Sequence, residues 1–432
     1  MENNVKKAIV VSIRSPGPRL DETIELAKTA GYNVLHVFRQ KRSRPHSKFY
    51  IGPGKLNEIK SYLLRDGLGS NDVCIILDGS IKPSQAYNIM KILNTKVIDR
   101  TQLILEIFAK HAGSTEAKLQ IELAKLRHML PFIKEWIRIS RREELPGFLG
   151  GGVYEIDAYY KYVKKRISKI RRKLEELRKR RRMLIVSRKE KKIPHVTITG
   201  YTSAGKTELF NALTNESKKV SGLLFTTLSP KSKAVVFGGR KIIFTDTVGF
   251  INDVPVEIIE AFYSTLEEII ESDMILLVVD VSDDEKTIKR KVDGCIDALR
   301  KIEATSIPIL LTLNKIDLVS KQELSRKTRI AHSLLASALN SLKGIVAVSA
   351  KERINIYLLL EKVYRILFPH VIRLRAKIPC QSLYMLKSPI RLLGGRGEHV
   401  ICEFDVPQGE VRDIVSLIKW ANGELIEISR IG

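Results

Sequence analysis

Short apolar runs alternate with longer amphipathic stretches over the first hundred residues of the chain. The apolar runs, which predict strands, are residues 7–13, 33–38, 73–77 and 96–98. The amphipathic stretches, which predict helices, are residues 22–30, 55–64 and 84–93. Strands that alternate with helices of about ten residues are typical of a parallel sheet covered by helices. We therefore expect an α/β domain over residues 1–114.

The apolar spacing then changes to that of two long helices. One series, spaced by four and three residues in turn, is Leu119, Leu123, Leu126, Leu130, Ile133 and Ile137. After a glycine-rich break at residues 147–152, the second series is Ile156, Tyr160, Val163, Ile167, Ile170, Leu174 and Leu177. Heptads on both sides of a glycine loop predict an antiparallel helical hairpin over residues 115–192, with a kink at Pro131.

Strand and helix patterns alternate again from His195 to about Phe368. They predict a second α/β domain over residues 193–369 and a small α/β domain over residues 370–432. In the small domain the expected strands are residues 376–386, 400–404 and 424–428, and the expected helix is residues 410–420. The fold class is therefore α/β, with a helical hairpin between the first two domains.

The positive charge is concentrated in the second arm of the hairpin. The chain has a net charge of +26, yet residues 193–369 hold 23 Lys/Arg and 21 Asp/Glu. Residues 161–192 hold 17 Lys/Arg against three glutamates, a distribution that fits a polyanion such as RNA. The alternative is a merely solvated helix, although such a face usually mixes signs. The candidate RNA contacts are Lys164, Lys165, Arg171, Arg172, Arg178, Arg180, Arg181 and Arg182.

Membrane and secreted proteins are disfavoured by the sequence. The longest apolar stretch, residues 274–279, is far too short to cross a bilayer, and the N-terminus is polar. The four cysteines are scattered and lack metal-ligand spacing, which fits reduced thiols. We expect a cytoplasmic monomer with no stable membrane insertion.

A phosphate-binding loop follows the strand that starts at His195. The loop residues are Gly200, Tyr201, Thr202, Ser203, Ala204, Gly205, Lys206 and Thr207, and a helix comes next. Glycines in this strand–loop–helix context turn backbone N–H groups toward phosphates, and the helix N-terminus adds a partial positive charge. Lys206 should reach the β- and γ-phosphates, and the Thr207 hydroxyl should bind Mg²⁺.

Two further segments predict contacts to Mg²⁺ and the γ-phosphate. Asp246, Thr247, Val248 and Gly249 follow a strand, so that Asp246 can hold Mg²⁺ and Gly249 can offer its N–H to the γ-phosphate. Phe225, Thr226 and Thr227 lie where a loop should supply a metal-binding threonine. Both threonines fit; Thr227 is favoured.

The next motif identifies the base. Asn314, Lys315 and Asp317 follow a strand, and the Asp317 carboxylate can accept from the N1–H and the N2 amine of guanine. Adenine has neither donor, and an unmatched polar contact costs roughly 1–3 kcal/mol. Lys315 should lie along the base, and Asn314 should tie loops together. Ser349, Ala350 and Lys351 complete the pocket, through the N–H of Ala350. Motifs in this order predict a Mg²⁺-dependent GTPase that binds GTP and GDP.

Hydrolysis depends on how the attacking water is oriented. Ras-like GTPases place a glutamine just after the Asp-x-x-Gly motif, and here that position is Phe250. Because a phenyl ring cannot polarise water, we expect slow hydrolysis alone and acceleration by a partner that reorders residues 246–255. The residues expected to act in hydrolysis are Lys206, Thr227, Gly249 and Phe250.

Residues 1–370 resemble the HflX-type GTPases of the translation-factor-related superclass, in a form similar to the archaeal members. The segments that carry the resemblance are residues 50–56, 97–101, 103–105, 107–109, 119–124, 130–131 and 246–250. The resemblance implies a GTP-gated protein that binds ribosomes, chiefly the large subunit and its RNA. It also implies ribosome-stimulated hydrolysis and, in bacterial members, splitting of stalled or stressed ribosomes into subunits.

Two other functions stay open at this point. In the first, GTP merely orders a fold that holds RNA, and hydrolysis is incidental. In the second, the protein is an ATP-driven RNA remodeller, because some members of the family it resembles bind ATP through the N-terminal region. The loop of residues 51–55 is the candidate for that site, and a tight strand–helix turn explains its glycines equally well.

Overall fold

A computed structural model describes most of the chain. The described residues are 6–13, 18–68, 72–140, 153–190, 193–216, 230–250, 263–369, 371–385, 391–396, 398–407 and 411–430. They form two compact units. The first takes the chain as far as Val186, and the second takes most of the remaining chain, except that Val220–Pro230 and Thr247–Glu267 group with the first.

The N-terminal part of the first unit is the expected α/β domain. Its parallel sheet has the order β2-β1-β3-β4, with β1 at Lys6–Ser12, β2 at Tyr32–Arg39, β3 at Val73–Leu77 and β4 at Lys96–Asp99. The helices are α1 at Pro18–Thr29, α2 at Pro53–Arg65, α3 at Pro83–Leu93 and α4 at Arg100–His111. Alternate residues of β1 enter two cores, Ala8 and Val10 on one face and Ile9 and Val11 on the other. Helices therefore cover both faces of the sheet, as the alternating pattern predicted.

The hairpin consists of two long helices, α5 at Thr115–Ser140 and α6 at Val153–Glu190. Ile133, Val163 and Ile167 are buried between them, which is the predicted heptad seam. Helix α5 continues through Pro131. The Arg166 guanidinium also donates from Nε and Nη2 to the two carboxylate oxygens of Glu122, at 2.6 and 2.8 Å. The predicted glycine break at residues 147–152 lies outside the described residues.

The second unit contains a six-stranded sheet of the order β10-β9-β8-β5-β7-β6. Its strands are parallel except for the edge strand β6, which runs antiparallel to β7. The strands are β5 at His195–Gly200, β6 at Lys231–Phe237, β7 at Arg240–Asp246, β8 at Met274–Asp280, β9 at Ile309–Asn314 and β10 at Leu342–Ala347. The helices of this part of the sequence are α7 at Lys206–Thr214, α8 at Tyr263–Ile270, α9 at Glu285–Lys301, α10 at Lys321–Ala338 and α11 at Ile356–Leu367.

A four-stranded antiparallel sheet of the order β12-β13-β11-β14 ends the second unit. Its elements are β11 at Val371–Pro379, β12 at Arg391–Arg396, β13 at His399–Pro407, α12 at Val411–Trp420 and β14 at Glu424–Arg430. The first strand begins before the predicted residue 376, and Cys380–Met385 is a 3-10 helix rather than strand. Among the described helices, none is long and apolar enough to cross a membrane.

Candidate functional site

The phosphate-loop sequence forms a tight turn between β5 and α7. Gly200 and Gly205 have φ angles of +149° and +84°, which favour glycine. A Cβ atom at Gly200 would collide with the Val278 carbonyl oxygen, and one at Gly205 would collide with the Asn314 amide. Both glycines are therefore required by close approaches as well as by the turn. Helix α7 begins at Lys206, so its unpaired N–H groups and its dipole lie at the end of this loop.

Lys206 is buried at the start of α7. Its Nζ donates to the Tyr201 carbonyl oxygen at 2.8 Å, which folds the side chain back over the loop. Burial lowers the pKa of the Lys206 ammonium to about 8, although attraction to Asp246 partly opposes this shift. A buried cation in a loop of backbone donors suits a multiply charged anion.

The two described candidates for the metal are adjacent. Thr207 Oγ1 donates to Asp246 Oδ2 at 2.9 Å, and Asp246 is fully buried at the end of β7. A hydroxyl and a carboxylate are hard oxygen donors, and such a pair fits a Mg²⁺ ion that also takes phosphate and water oxygens. The other candidate, Thr227, lies outside the described residues together with Phe225 and Thr226.

Asn314 links the phosphate loop to the loop after β10. Its Nδ2 donates to the Ala204 carbonyl oxygen at 3.0 Å, and its Oδ1 accepts from the Ala350 N–H at 3.0 Å. The side chain is fully buried, so that both bonds are shielded from water. One amide therefore joins three segments that the sequence assigned separately to phosphate and base recognition.

Lys315 and Asp317 lie beyond the end of β9. Lys315 has a φ of +68°, and its ammonium forms an ion pair with Asp280 at the end of β8. Asp317 is exposed on the 3-10 turn Ile316–Leu318, where its carboxylate is accessible to a base. Sequence reasoning missed Asp280, whose position at a strand end was the available signal. The ion pair holds the Lys315 stem in place, which suits packing along a base.

The Ser349 loop is built by local hydrogen bonds. Buried Ser349 accepts at Oγ from the Glu352 N–H at 3.1 Å, and its backbone pairs with Ile354. These contacts orient the loop that holds Ala350. Lys351, by contrast, is mostly exposed and lies near Glu352 at 3.7 Å. Thr202 and Ala204 of the phosphate loop are buried, whereas Ser203 is exposed with a φ of +63°.

The segment after Asp246 groups with the first unit. Thr247 and Phe250 are buried, with 1% and 6% of their surfaces exposed, and Gly249 is partly buried. Val248 packs against the N-terminal core that contains Val10. The Asp-x-x-Gly motif is thus divided, because Asp246 belongs to the second unit and the next residues belong to the first.

The candidate RNA contacts lie along α6. Those that are exposed are Lys164, Lys165, Arg171, Arg172 and Arg180, and Arg178 is half-buried. The side chains of Arg181 and Arg182 fall outside the described part of the structure.

Three family models match consecutive parts of the chain. A model described as GTP-binding GTPase N-terminal matches residues 18–109, and one described as GTP-binding GTPase Middle Region matches residues 111–188. A third, described as 50S ribosome-binding GTPase, matches residues 195–315. These models cover the N-terminal domain from helix α1 onward, nearly all of the hairpin, and the nucleotide motifs as far as Lys315.

Relatives named GTPase HflX align with most of the chain. The protein from Hyperthermus butylicus is 45% identical over 346 residues, which is 80% of this chain and 92% of that protein. The one from Escherichia coli is 34% identical over 306 residues, 70% of each chain. A crystal structure of SsGBP in complex with GDP has a TM-score of 0.50 at 34% identity, covering 84% of this chain and 98% of that one. The chain therefore belongs to the HflX family of GTPases, which bind and hydrolyse GTP.

Proposed function

We propose that this GTPase is a Mg²⁺-dependent switch that acts on the ribosome, chiefly on the large subunit and its RNA. Hydrolysis is slow in the isolated protein and is stimulated by the ribosome, and the cycle serves ribosome rescue or subunit splitting under stress. The observation that carries the proposal is the convergence of the nucleotide motifs through Asn314, in a chain that also has a strongly basic hairpin arm. The matching family model for 50S ribosome-binding GTPases supports the ribosome as the source of the RNA.

Each nucleotide motif has a part in this proposal. Lys206 and the loop N–H groups hold the phosphates, while Thr207, Thr227 and Asp246 hold Mg²⁺. Asp317 selects guanine, Lys315 lies along the base, and Ala350 closes the pocket. Mg²⁺ neutralises charge that develops on the phosphates during hydrolysis. The distance of 2.9 Å between Thr207 Oγ1 and Asp246 Oδ2 supports this assignment, because it places two hard oxygen donors next to each other.

Stimulation by a partner follows from the position of Phe250. The ring is buried, and Val248 two residues earlier packs against the N-terminal core. A partner that reorders residues 246–255 therefore changes the surroundings of Asp246, where water must be oriented. The test is GTP hydrolysis with and without isolated large ribosomal subunits. We expect slow turnover alone and a rise of at least tenfold with subunits.

Two variants separate the outcomes of that assay. Phe250→Gln should raise the activity of the isolated protein, and Phe250→Ala should lose the stimulated part. Fast turnover by the unmodified, isolated protein would refute the gating role of Phe250. If large subunits bind but hydrolysis stays unchanged, the protein is instead an RNA-binding module ordered by GTP.

The basic arm makes a separate, salt-dependent prediction. Replacing the five basic residues 178–182 with glutamine removes phosphate contacts, so RNA affinity should fall and its dependence on salt should weaken. The slope of log K against log salt should shrink by about 0.7 for each lost contact to a single strand. Lys321→Gln with Arg329→Gln, two exposed residues on α10, is the matched control. An unchanged slope in the arm variant would exclude the arm as the phosphate contact.

The loop of residues 51–55 does not support a second nucleotide site. The Gly52 N–H donates to Gln40 Oε1 at 2.7 Å, and a Cβ at Gly52 would meet the same side chain at 2.7 Å. Lys55 pairs with Glu58 at 2.5 Å within α2. The glycine amide and the lysine are thus occupied locally, which favours the tight strand–helix turn over an ATP-driven function.

A further inference from the structure

Two exposed tyrosines lie side by side near the start of α6. Tyr159 and Tyr162 are 42% and 59% exposed, and their ring centroids are 6.3 Å apart with planes inclined by 22°. Residues three apart on a helix are neighbours on its surface, so the two rings form one continuous aromatic surface. Each tyrosine keeps a large share of its surface open to solvent.

The described hydrophobic core of the hairpin is formed without these rings. In the seam between α5 and α6, Val163 and Ile167 are buried and Tyr160 packs against them. Lys164 covers the Tyr160 ring, with its Nζ at 4.9 Å from the centroid. Tyr160 therefore has a structural explanation, whereas neither Tyr159 nor Tyr162 belongs to this core as far as the described residues of the hairpin show.

Cations continue the same face of the helix. The spacing of three and four residues places Arg166, Lys169 and Lys173 in line with Tyr159 and Tyr162. Lys169 and Lys173 are exposed, and Arg166 is fixed by its double hydrogen bond to Glu122. From Tyr159 to Lys173 the face is about 21 Å long at the rise of an α-helix. One end is aromatic and the other is cationic.

We propose that this face binds single-stranded RNA, with unpaired bases stacked on Tyr162 and Tyr159 and the following phosphates held by Lys169 and Lys173. Aromatic side chains stack on splayed bases of any sequence, and nearby cations track the backbone. Bases inside a duplex are covered by their neighbours, so a duplex meets only the cationic end. The inference rests on the proposed RNA-binding role of the hairpin. It adds that the RNA is single-stranded and that Tyr159 and Tyr162 distinguish it from a duplex.

The test measures binding of the full chain to two fluorescent RNAs, a twelve-nucleotide oligouridylate and a blunt duplex of equal charge. Tyr162→Ala should weaken binding of the single strand by about 5- to 100-fold, the worth of one stacked base, without changing the salt slope. Tyr162→Phe keeps the ring and should bind like the unmodified protein. Duplex binding should be the same for all three proteins.

Tyr357→Ala is the matched control, because Tyr357 is a 71% exposed tyrosine on α11 that this proposal does not use. A second readout needs no substitution. An oligonucleotide with one 2-aminopurine should lose fluorescence on binding, because stacking on an aromatic ring quenches that base. Circular dichroism of each variant verifies that α6 has kept its helix.

Several results would overturn the inference. They are single-strand binding unchanged in Tyr162→Ala, equal losses in Tyr162→Phe, parallel losses for the duplex, or a 2-aminopurine signal unaffected by binding. In each of these cases RNA still binds, so the proposed function survives. If the unmodified chain binds neither RNA nor ribosomal subunits, the proposed function fails together with this inference.

Discussion

Replacing Asp317 with asparagine is expected to change the base preference from guanine to xanthine. In the proposed base pocket the carboxylate accepts two hydrogen bonds from guanine, and charge-assisted bonds are worth about 1.5–3 kcal/mol each. An asparagine amide presents one acceptor and one donor, so its N–H group opposes the N2 amine of guanine. Xanthine carries an oxygen at that position and accepts from the amide. GTP affinity should fall by roughly two orders of magnitude, and XTP affinity should rise above it.

Competition against a fluorescent nucleotide measures the Kd of GTP, XTP and ATP for both proteins. Since Asp317 is exposed on a short turn, the substitution should leave the fold intact. Asp293→Asn, at an exposed aspartate on α9, is the matched control and should keep the GTP preference. An Asp317→Asn protein that still prefers GTP to XTP would show that another residue reads the base.

Much of the parallel-sheet architecture could be predicted, because strands that are buried on both faces consist of consecutive apolar residues in the sequence. Every residue from Val73 to Leu77 is buried, and the observed strand has the predicted ends. Helix starts were less exact. Helices α2 and α3 begin at Pro53 and Pro83, two residues and one residue before the predicted starts. Proline suits the first turn of a helix, but it does not contribute to the helical spacing of apolar residues from which the helices were predicted.

The C-terminal sheet shows why some strands escape prediction. Strand β12 contains Gly394 and Gly395, which are disfavoured in strands, and its pairing with β13 is irregular between Leu392 and Gly394. Hairpin pairing with β13, in which Arg396 lies opposite His399 and Arg391 lies opposite Glu403, maintains this strand, whereas its glycines alone resemble a turn. The 3-10 helix at Cys380–Met385 comes directly after the alternating apolar pattern of β11. The sequence alone does not show where the strand ends and the 3-10 helix begins.

Side-chain contacts between neighbouring strands, and between the two hairpin helices, could not be predicted from the sequence either. The ion pair between Lys315 and Asp280 depends on β8 and β9 being neighbours, which only the sheet order decides. The bonds of Arg166 to Glu122 depend on how the two hairpin arms are rotated. The candidate nucleotide motifs were recognisable because each follows a strand, and the carboxyl ends of parallel strands meet at one edge of a sheet.

Lys206→Met is expected to stabilise the nucleotide-free protein and to abolish tight GTP binding. Burial lowers the pKa of the Lys206 ammonium from 10.5 to about 8, so keeping it charged at pH 7 costs about 3 kcal/mol. Methionine has a similar length, carries no charge and loses only the bond to the Tyr201 carbonyl, worth about 1 kcal/mol. The net gain in the free energy of unfolding is about 2 kcal/mol, whereas GTP loses its main cationic contact and should bind at least 100-fold more weakly.

The pH dependence of this gain has a definite sign. Between pH 8 and 10.5 the unfolded chain carries a proton on Lys206 that the folded protein lacks, so the stability of the unmodified protein rises with pH relative to the variant. The gap should be full below pH 8 and should close between pH 8 and 10.5. Above that range it should reverse by about 1 kcal/mol, because the unmodified lysine keeps its bond to the Tyr201 carbonyl. Thermal unfolding of both nucleotide-free proteins measures the gap as a Tm difference of a few degrees at pH 7. Added GDP should raise the Tm of the unmodified protein alone. A variant that is less stable at pH 7, or a gap that widens with pH, would show that the buried ammonium stabilises the empty loop. In the proposed site, the phosphates of GTP offset the cost of burying the lysine, which explains why a residue that lowers the stability of the nucleotide-free protein is kept.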